Sequence, residues 1–128
     1  MKVAHYEKIQ AAPVELEGAV GCRMRCLIGQ EDAAPNFSMR LFELGAEGRT
    51  PKHDHEHEHE VFVLEGIGTV LDGDVEHPLR AGVCVFVPGG RLHQFRNTGV
   101  GPLKFLCLIP HYTSTTPGAC PTTCGCND

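Results

Sequence analysis

Histidines occupy every second position of one short segment, His53-Asp54-His55-Glu56-His57-Glu58-His59-Glu60. In an extended strand, residues two apart share one face, so these imidazoles would point the same way. Neutral imidazole is the commonest protein ligand for divalent transition metals. A further histidine, His93, follows two predicted strands later. The spacing therefore predicts a metal site in which imidazoles from two parts of the chain converge on one cation.

The segments that must position these histidines have the composition of short strands. Their apolar runs are rich in Val, Phe and Leu, turn residues separate them, and no segment keeps the 3.6-residue period of a helix. This pattern is typical of an all-β sandwich or small barrel. We predict a tight hairpin turn at Asp72-Gly73-Asp74 and a turn over 45–51. The predicted strands cover 22–28, 37–44, 60–66, 68–71, 83–87, 93–97 and 103–109.

Length and charge limit the classes of function. A chain of 128 residues predicts one domain with a core of its own. The formal net charge is −5 and no basic stripe is present, which argues against nucleic-acid binding. No apolar stretch approaches the roughly 18–20 residues of a membrane span. The first seven residues lack the apolar core of a signal peptide, so we expect a cytoplasmic protein.

Seven cysteines are many for a chain of this length, and an odd number cannot all pair within the chain. Three of them lie in apolar strands and are predicted to be small buried hydrophobic residues: Cys26, Cys84 and Cys107. The last three are Cys120, Cys124 and Cys126. For these we rank incidental thiols in a disordered end first, ligands of a soft metal such as Zn or Cu(I) second, and a disulfide third.

The second half of the chain resembles the second cupin motif at five residues with every spacing kept: Gly82, Pro88, Gly90, His93 and Asn97. The segment from Thr50 to His55, followed by Glu60 and Gly66, resembles the first cupin motif. The two motifs span 48–97, and the wider resemblance runs from about Cys22 to Pro110. Within that family the chain is similar to small single-domain cupins that bind manganese or another divalent metal through four histidines.

The resemblance implies a double-stranded β-helix, the cupin or jelly-roll barrel, over residues 22–110. Residues 1–21 would form an N-terminal strand or arm, and 111–128 a flexible Cys-rich tail. It also implies a dimer, which the sequence supports independently. Strands 61–64 and 83–87 are apolar on both faces, so both faces need a cover. One cover would be the barrel core and the other a second subunit, which predicts a homodimer.

The first motif departs from the family pattern at two places. Its leading glycine is replaced by Glu47, with Gly48 one position later. The place of the usual carboxylate ligand falls on His59 when counted back from Gly66, and on Glu60 when counted forward from His55. Strand alternation favours His59. If the strand begins at His59, this residue shares a face with Val61 and Val63, while Glu60 faces away.

The predicted ligands of one divalent transition metal per chain are His53, His55, His59 and His93. The resemblance favours manganese and then iron, and nickel, copper or zinc would also suit an all-nitrogen set. Because neutral imidazoles leave the metal its full double charge, they would favour Lewis acidity. His57 is predicted at the pocket rim, beside the ligands, with direct ligation of the metal as the alternative, and Phe95 in the pocket wall. The carboxylates of Glu58 and Glu60 either orient ligand imidazoles or are solvated.

The remaining motif residues are predicted to be structural: Gly82, Pro88, Gly90 and Asn97. His5, His77 and His111 are predicted on the surface. The leading functional expectation is a dioxygenase-like oxidoreductase that acts on a small organic molecule at the metal. The alternatives are a non-catalytic module that binds or senses a small ligand, and a metal-dependent isomerase or lyase. The catalytic residues stay open at this stage, with His57 and Phe95 as pocket candidates.

Overall fold

The computed structural model describes residues 1–111, so the predicted Cys-rich tail lies almost wholly outside the described residues. Two short 3₁₀ turns are present, at Tyr6–Lys8 and Gln30–Asp32. No helix in the described part of the chain has the length and hydropathy that crossing a bilayer requires. The strands are β1 (Ala11–Pro13), β2 (Val20–Ile28), β3 (Phe37–Arg49), β4 (His59–Glu65), β5 (Ile67–Asp72), β6 (Val75–Arg80), β7 (Cys84–Val87), β8 (His93–Asn97) and β9 (Leu103–Pro110).

All nine strands belong to one curled antiparallel sheet, in the order β6-β5-β8-β3-β9-β4-β7. Strand β2 pairs with β3, and β1 pairs with β2. The predicted all-β, double-stranded β-helix barrel is therefore confirmed. The topology places β8 next to β5 and β3, and β4 next to β9 and β7. As a result, two segments far apart in sequence, the histidine run and His93, meet inside the same curled sheet.

Side-chain alternation along the strands fills the interior of the barrel. On β4, Val61 and Val63 are buried, whereas Phe62 and Leu64 are exposed. Strand β9 alternates in the same way, with buried residues at every second position from Leu103 to Ile109. Three phenylalanines from β3, β8 and β9 stack in the core: the rings of Phe42 and Phe105 lie 5.4 Å apart, and those of Phe95 and Phe105 lie 4.6 Å apart.

The predicted turn over 45–51 is wrong, because β3 continues through this region to Arg49. Val20 pairs with Arg49 and Cys22 with Leu44, so the four residues 45–48 lie opposite the single residue 21. The glycines thus form a bulge within a long strand and do not end it. Gly48 is needed for close approach, since a Cβ there would lie 2.9 Å from backbone oxygens of Gly21 and Gly45.

Strand β6 was missed, because Pro78 and exposed polar residues interrupt its pattern. It lies at the end of the sheet, which is where a proline is tolerated in a strand.

Of the cysteines predicted to be buried, only Cys107 is buried. Cys84 points outward from β7 and is exposed, whereas Cys26 is half-buried and disulfide-bonded.

Candidate metal centre

The histidine run is not one continuous strand, and each part of it is held by a different contact. His53 forms an isolated antiparallel bridge with His93, with backbone hydrogen bonds of 3.1 and 3.0 Å. The chain then bends at Glu56 and His57 before β4 begins at His59. This bend packs against the glycine turn before β8, where a Cβ on Gly89 would lie 2.2 Å from the carbonyl oxygen of Glu56.

The alternation predicted for the run survives the bend. His53, His55 and His57 are half-buried and His59 is buried, whereas the acidic residues between them, Asp54, Glu56 and Glu58, are exposed. Glu60 lies outside the histidine cluster, paired across the sheet with Leu108 and Phe86. Burial and the neighbouring Glu58 raise the pKa of Glu60 to about 7. These two carboxylates interact with each other, so the suggestion that they orient the imidazoles is not supported.

Five imidazole rings form one cluster. The rings of His53 and His55 lie 4.2 Å apart, with their Nε2 atoms 3.2 Å from each other. The ring of His93 lies 5.3 Å from that of His53 and 4.9 Å from that of His59. His57 stacks on His55 at 4.7 Å. The structure thus brings the four predicted ligands together and adds His57, while the ligand set itself stays a prediction.

His59 supplies the test of whether these residues suit a metal. Its side chain is only 3% exposed, and its Nε2 has no hydrogen-bond partner among the described residues. Its Nδ1 lies 3.3 Å from Sγ of Cys107 and 3.5 Å from a guanidinium nitrogen of Arg40. A buried nitrogen without a partner is costly, and a cation would satisfy it. A proton on Nδ1, directed at the sulfur, would leave Nε2 as the free ligand atom. The residues present therefore fit a divalent transition metal.

His93 has the same arrangement. Its Nδ1 lies 2.8 Å from the carbonyl oxygen of Arg91, which can only accept a hydrogen bond. Nδ1 therefore carries the proton, and Nε2 is left with a lone pair for a ligand. In both His59 and His93, Nδ1 therefore contacts another protein group and Nε2 is left for a metal. Metal-binding histidines commonly share this arrangement.

Arg40 and Cys107 are site residues that the sequence analysis missed. They pair directly across β3 and β9, and Val61 of β4 pairs with Cys107 on its other side. Arg40 is fully buried and donates a hydrogen bond of 3.1 Å to Sγ of Cys107. Its guanidinium also lies 5.0 Å from the ring of Phe42. The only signal in the sequence was the position of Arg40, which lies on the same face of its strand as the core residues Phe42 and Leu44.

The electrostatics keep the imidazoles neutral. The pKa of His53 is lowered to about 4 and that of His55 to about 2. Burial is the main cause of both shifts, followed by repulsion from neighbouring histidines and Arg40. Burial and Arg40 lower the pKa of His59 further, and burial also lowers the pKa of His93. At neutral pH these rings are unprotonated, which is the form that binds a metal.

Phe95 lies where it was predicted, in the wall beside the histidines. Its ring is buried and lies 6.3 Å from that of His93. Its backbone N–H donates a hydrogen bond of 2.9 Å to the hydroxyl of Thr50, just before the histidine run. Phe95 therefore fixes β8 against the run and closes the core side of the cluster.

A cleft of about 510 Å³ opens from His93 between strands β5, β6 and β7. Its walls are mostly apolar and include Val70, Leu79, Val85 and Phe86. A polar group stands at its rim, where Arg91 donates a hydrogen bond of 2.6 Å to Asp72 and His77 lies 3.8 Å from the same carboxylate. This volume lies within the range of small-molecule sites, and His93 is the member of the histidine cluster that lines the cleft.

The structural roles predicted for the motif residues hold in the structure. Asn97 is buried and donates to three backbone carbonyls, those of Leu44, Gly45 and Gly101, at 2.9–3.0 Å. Gly82 and Gly90 have φ of +94° and +81°, which side-chain-bearing residues rarely adopt. Glu47, which replaces the motif glycine, also has a positive φ of +58°.

The three histidines predicted on the surface behave differently from one another. His5 and His77 are exposed, as predicted. His111 is half-buried, and its Nε2 lies 2.5 Å from the hydroxyl of Ser38. Its backbone N–H also donates to the carbonyl of Asn36, so His111 extends the pairing at the end of β9.

Comparison with protein-family models matches residues 40–109 to the cupin domain. The chain belongs to the cupin family. A search of curated proteins found no match. Among solved structures, this cupin is similar to the polyketide cyclase RemF from Streptomyces resistomycificus, with 32% identity and a TM-score of 0.83 over 92% of this chain and 83% of that one.

Two further solved structures are similar to this cupin. A predicted oxalate decarboxylase from Thermotoga maritima is 26% identical, with a TM-score of 0.77 over 87% of this chain and all of the other. A cupin 2 conserved barrel protein from Rhodopseudomonas palustris is also 26% identical, with a TM-score of 0.74 over 83% and 74% of the two chains. Cupins with enzymatic descriptions are thus among the relatives of this chain.

Proposed function

We propose that this cupin is a metal-dependent enzyme that converts a largely apolar, carbonyl-bearing small molecule. The observation that carries the proposal is the adjacency of cluster and cleft: the unpartnered Nε2 of His59 lies in a cluster of neutral imidazoles, and one member of that cluster, His93, lines the apolar cleft. His53, His55, His59 and His93 are the proposed ligands of one divalent ion, with manganese first and iron second. Bound there, the ion would supply Lewis acidity toward a carbonyl oxygen.

The residues of the chain itself perform the other tasks. The valines and Phe86 of the cleft would bind the apolar body of the substrate and exclude water. Arg91 and Asp72 at the rim offer hydrogen bonds to its polar end. His57, half-buried beside the cluster, is the candidate for moving a proton at the reacting carbon through its ring nitrogen.

The favoured reaction class is a conversion without oxygen, such as a cyclisation. Its support is the similarity to the polyketide cyclase from Streptomyces resistomycificus, the most extensive similarity described above. Polyketides carry repeated carbonyl groups on an otherwise apolar chain, which agrees with an apolar cleft beside a Lewis-acid site. Fold alone does not name a reaction, so the cleft and the cluster carry this argument.

A dioxygenase-like oxidoreductase is the second candidate, and an all-histidine site that suits manganese or iron supports it. The two are separated by assaying a short β-polyketone with the manganese-loaded protein in air and under nitrogen, and following products by mass spectrometry. Equal turnover under nitrogen supports the cyclase-like reaction, whereas a strict need for oxygen supports the oxygenase. Turnover that survives chelation and His59→Ala contradicts both. Retention of the molecule without turnover indicates a binding or sensing module.

We further propose that the protein is a homodimer formed through the outer face of β4 and β7. Phe62, Leu64 and Phe86 are 46%, 44% and 61% exposed, and Cys84 lies between them on the same face. An apolar sheet face of this kind is normally covered, and a second copy presents the same self-complementary surface. Light scattering should give a dimer mass for the wild type and a monomer mass for Phe62→Glu, which lies on this face and outside the cleft. Val100→Glu, at a fully exposed turn, should remain dimeric.

A reducing cytoplasm is the proposed compartment. The reduced thiols of Cys22, Cys84 and Cys107 support it, and the disulfide of Cys26 is the observation against it. Alkylation of thiols in intact cells, followed by mass analysis, would decide the matter: an alkylated Cys26 supports the cytoplasm, and a protected Cys26 argues for an oxidising compartment.

A further inference from the structure

The histidine cluster contains more ligand atoms than one tetrahedral set needs. Two groups of three imidazoles each have ligand atoms that all lie within 4.8 Å of one another: His53, His55 and His93 form one, and His55, His57 and His59 form the other. Two nitrogens about 2.1 Å from one ion are at most about 4.2 Å apart. Small ring rotations would therefore let either group hold a cation.

His57 is held in this arrangement by the backbone as well as by ring contacts. Its ring stacks on His55 with an interplanar angle of 8° and lies 5.2 Å from the ring of His59. The bend that carries His57 packs on the turn at Gly89 and Gly90, and the backbone N–H of Gly90 donates to the carbonyl of His55. The position of the imidazole is thus set by the fold of this segment.

We propose that His57 is a metal ligand, and that His55, His57 and His59 form a second coordination position for a divalent transition metal ion. His55 belongs to both positions, as does His59 when it completes the first set, and one ring cannot direct its lone pair at two ions at once. The two positions are therefore alternatives, and the chain holds one ion in either of them. His57 is available to move a proton only while the ion occupies the first position. This inference rests on metal binding at the cluster, which is part of the proposed function.

The proposal makes a specific prediction about His93. His93 belongs only to the first position, so His93→Ala should still bind one ion through the second position, with an affinity about 10–100-fold below that of the wild type. Removing His57 in that background should then weaken binding at least a further tenfold. His57→Phe is the preferred change, because it keeps a ring stacked on His55 and removes the ligand nitrogen. His57→Ala serves as a second variant in case the larger ring is not accommodated.

The experiment titrates cobalt(II), followed by its visible absorption, and zinc(II), followed by competition with a chromophoric chelator. It uses the wild type, His93→Ala, His57→Phe and the double variant, with His5→Phe, at an exposed position near the start of the chain, as the control for loss of an imidazole elsewhere. We expect one ion per chain in the wild type and in His93→Ala, and at least a tenfold further loss of affinity in the double variant. His57→Phe alone should change the cobalt spectrum.

Two outcomes would overturn the proposal. Equal affinity of His93→Ala and the double variant would show that His57 contributes nothing to the metal, and complete loss of metal in His93→Ala would show that no second position exists. Either result leaves the proposed function intact. If the wild type itself binds no cobalt or zinc, the proposed function fails as well, so the two failures are distinguishable.

Discussion

Cys107 is predicted to set metal affinity without touching the metal. Its sulfur lies 3.3 Å from Nδ1 of His59, and Arg40 donates to the same sulfur at 3.1 Å. A proton on Nδ1 needs an acceptor if Nε2 is to bind an ion. Sγ is the acceptor within reach, because the Arg40 guanidinium, 3.5 Å from the same Nδ1, can only donate. Cys107→Val keeps the buried volume nearly unchanged but removes the acceptor. Loss of such a partner of a metal-bound histidine typically weakens binding by about 10–100-fold, or about 1.4–2.8 kcal/mol.

The assay is competition between the protein and a chromophoric chelator for zinc(II) and manganese(II) at neutral pH. Cys107→Ser keeps an acceptor and should restore most of the affinity. Cys22→Val removes a different buried thiol, on β2, and should leave the affinity unchanged. Unfolding is measured in parallel, because Arg40 also loses a hydrogen bond, at a cost of about 1–3 kcal/mol. A Cys107→Val protein that folds and binds metal as tightly as the wild type would refute the assignment of the Nδ1 proton.

Three further outcomes are expected. In excess chelator, the unfolding free energy of Glu60→Gln should be constant above about pH 6.5 and fall as the pH decreases toward 4 and below; this variant is used because the raised pKa of Glu60 acts in the opposite direction over the same range. The reason is that the folded-state pKa values of His53 and His55, about 4 and about 2, lie below the unfolded value, so protons favour the unfolded chain. The unfolding free energy should change by at most about 1.4 kcal/mol per pH unit for each ring, and by less after solvent screening. An unfolding free energy that stays constant from pH 7 to 4 in chemical denaturation would contradict this prediction. Adding zinc at about 100 times its Kd should raise the unfolding free energy by about 2.7 kcal/mol in thermal or denaturant melts, and an unchanged stability would argue against a site in the folded state. Glu47→Gly should stabilise the protein by about 1 kcal/mol in denaturant titrations, because φ of +58° strains a residue with a side chain. A destabilised variant would show that the Glu47 side chain contributes more than this strain costs.

Local pattern in the sequence predicted the barrel and most of its strands. Strand β8 was predicted with its observed bounds, and the two cupin motifs supplied the fold. The failures have local causes. The glycines after Leu44 signal a turn in any sequence, and only pairing with β2 shows that they form a bulge inside a strand. Pro78 hid an edge strand, since its effect on pairing depends on where the strand lies in the sheet.

The sequence by itself determined which residues can bind a metal. Alternation places the histidines of the run on one side of the chain and the acidic residues on the other wherever the backbone is extended. Only the tertiary structure decided what surrounds them. The β3–β9–β4 order puts Arg40 and Cys107 beside His59, and the bend at Glu56 and His57 adds a fifth imidazole to the cluster. These contacts depend on strand order and register across long sequence separations, which a local periodicity does not encode.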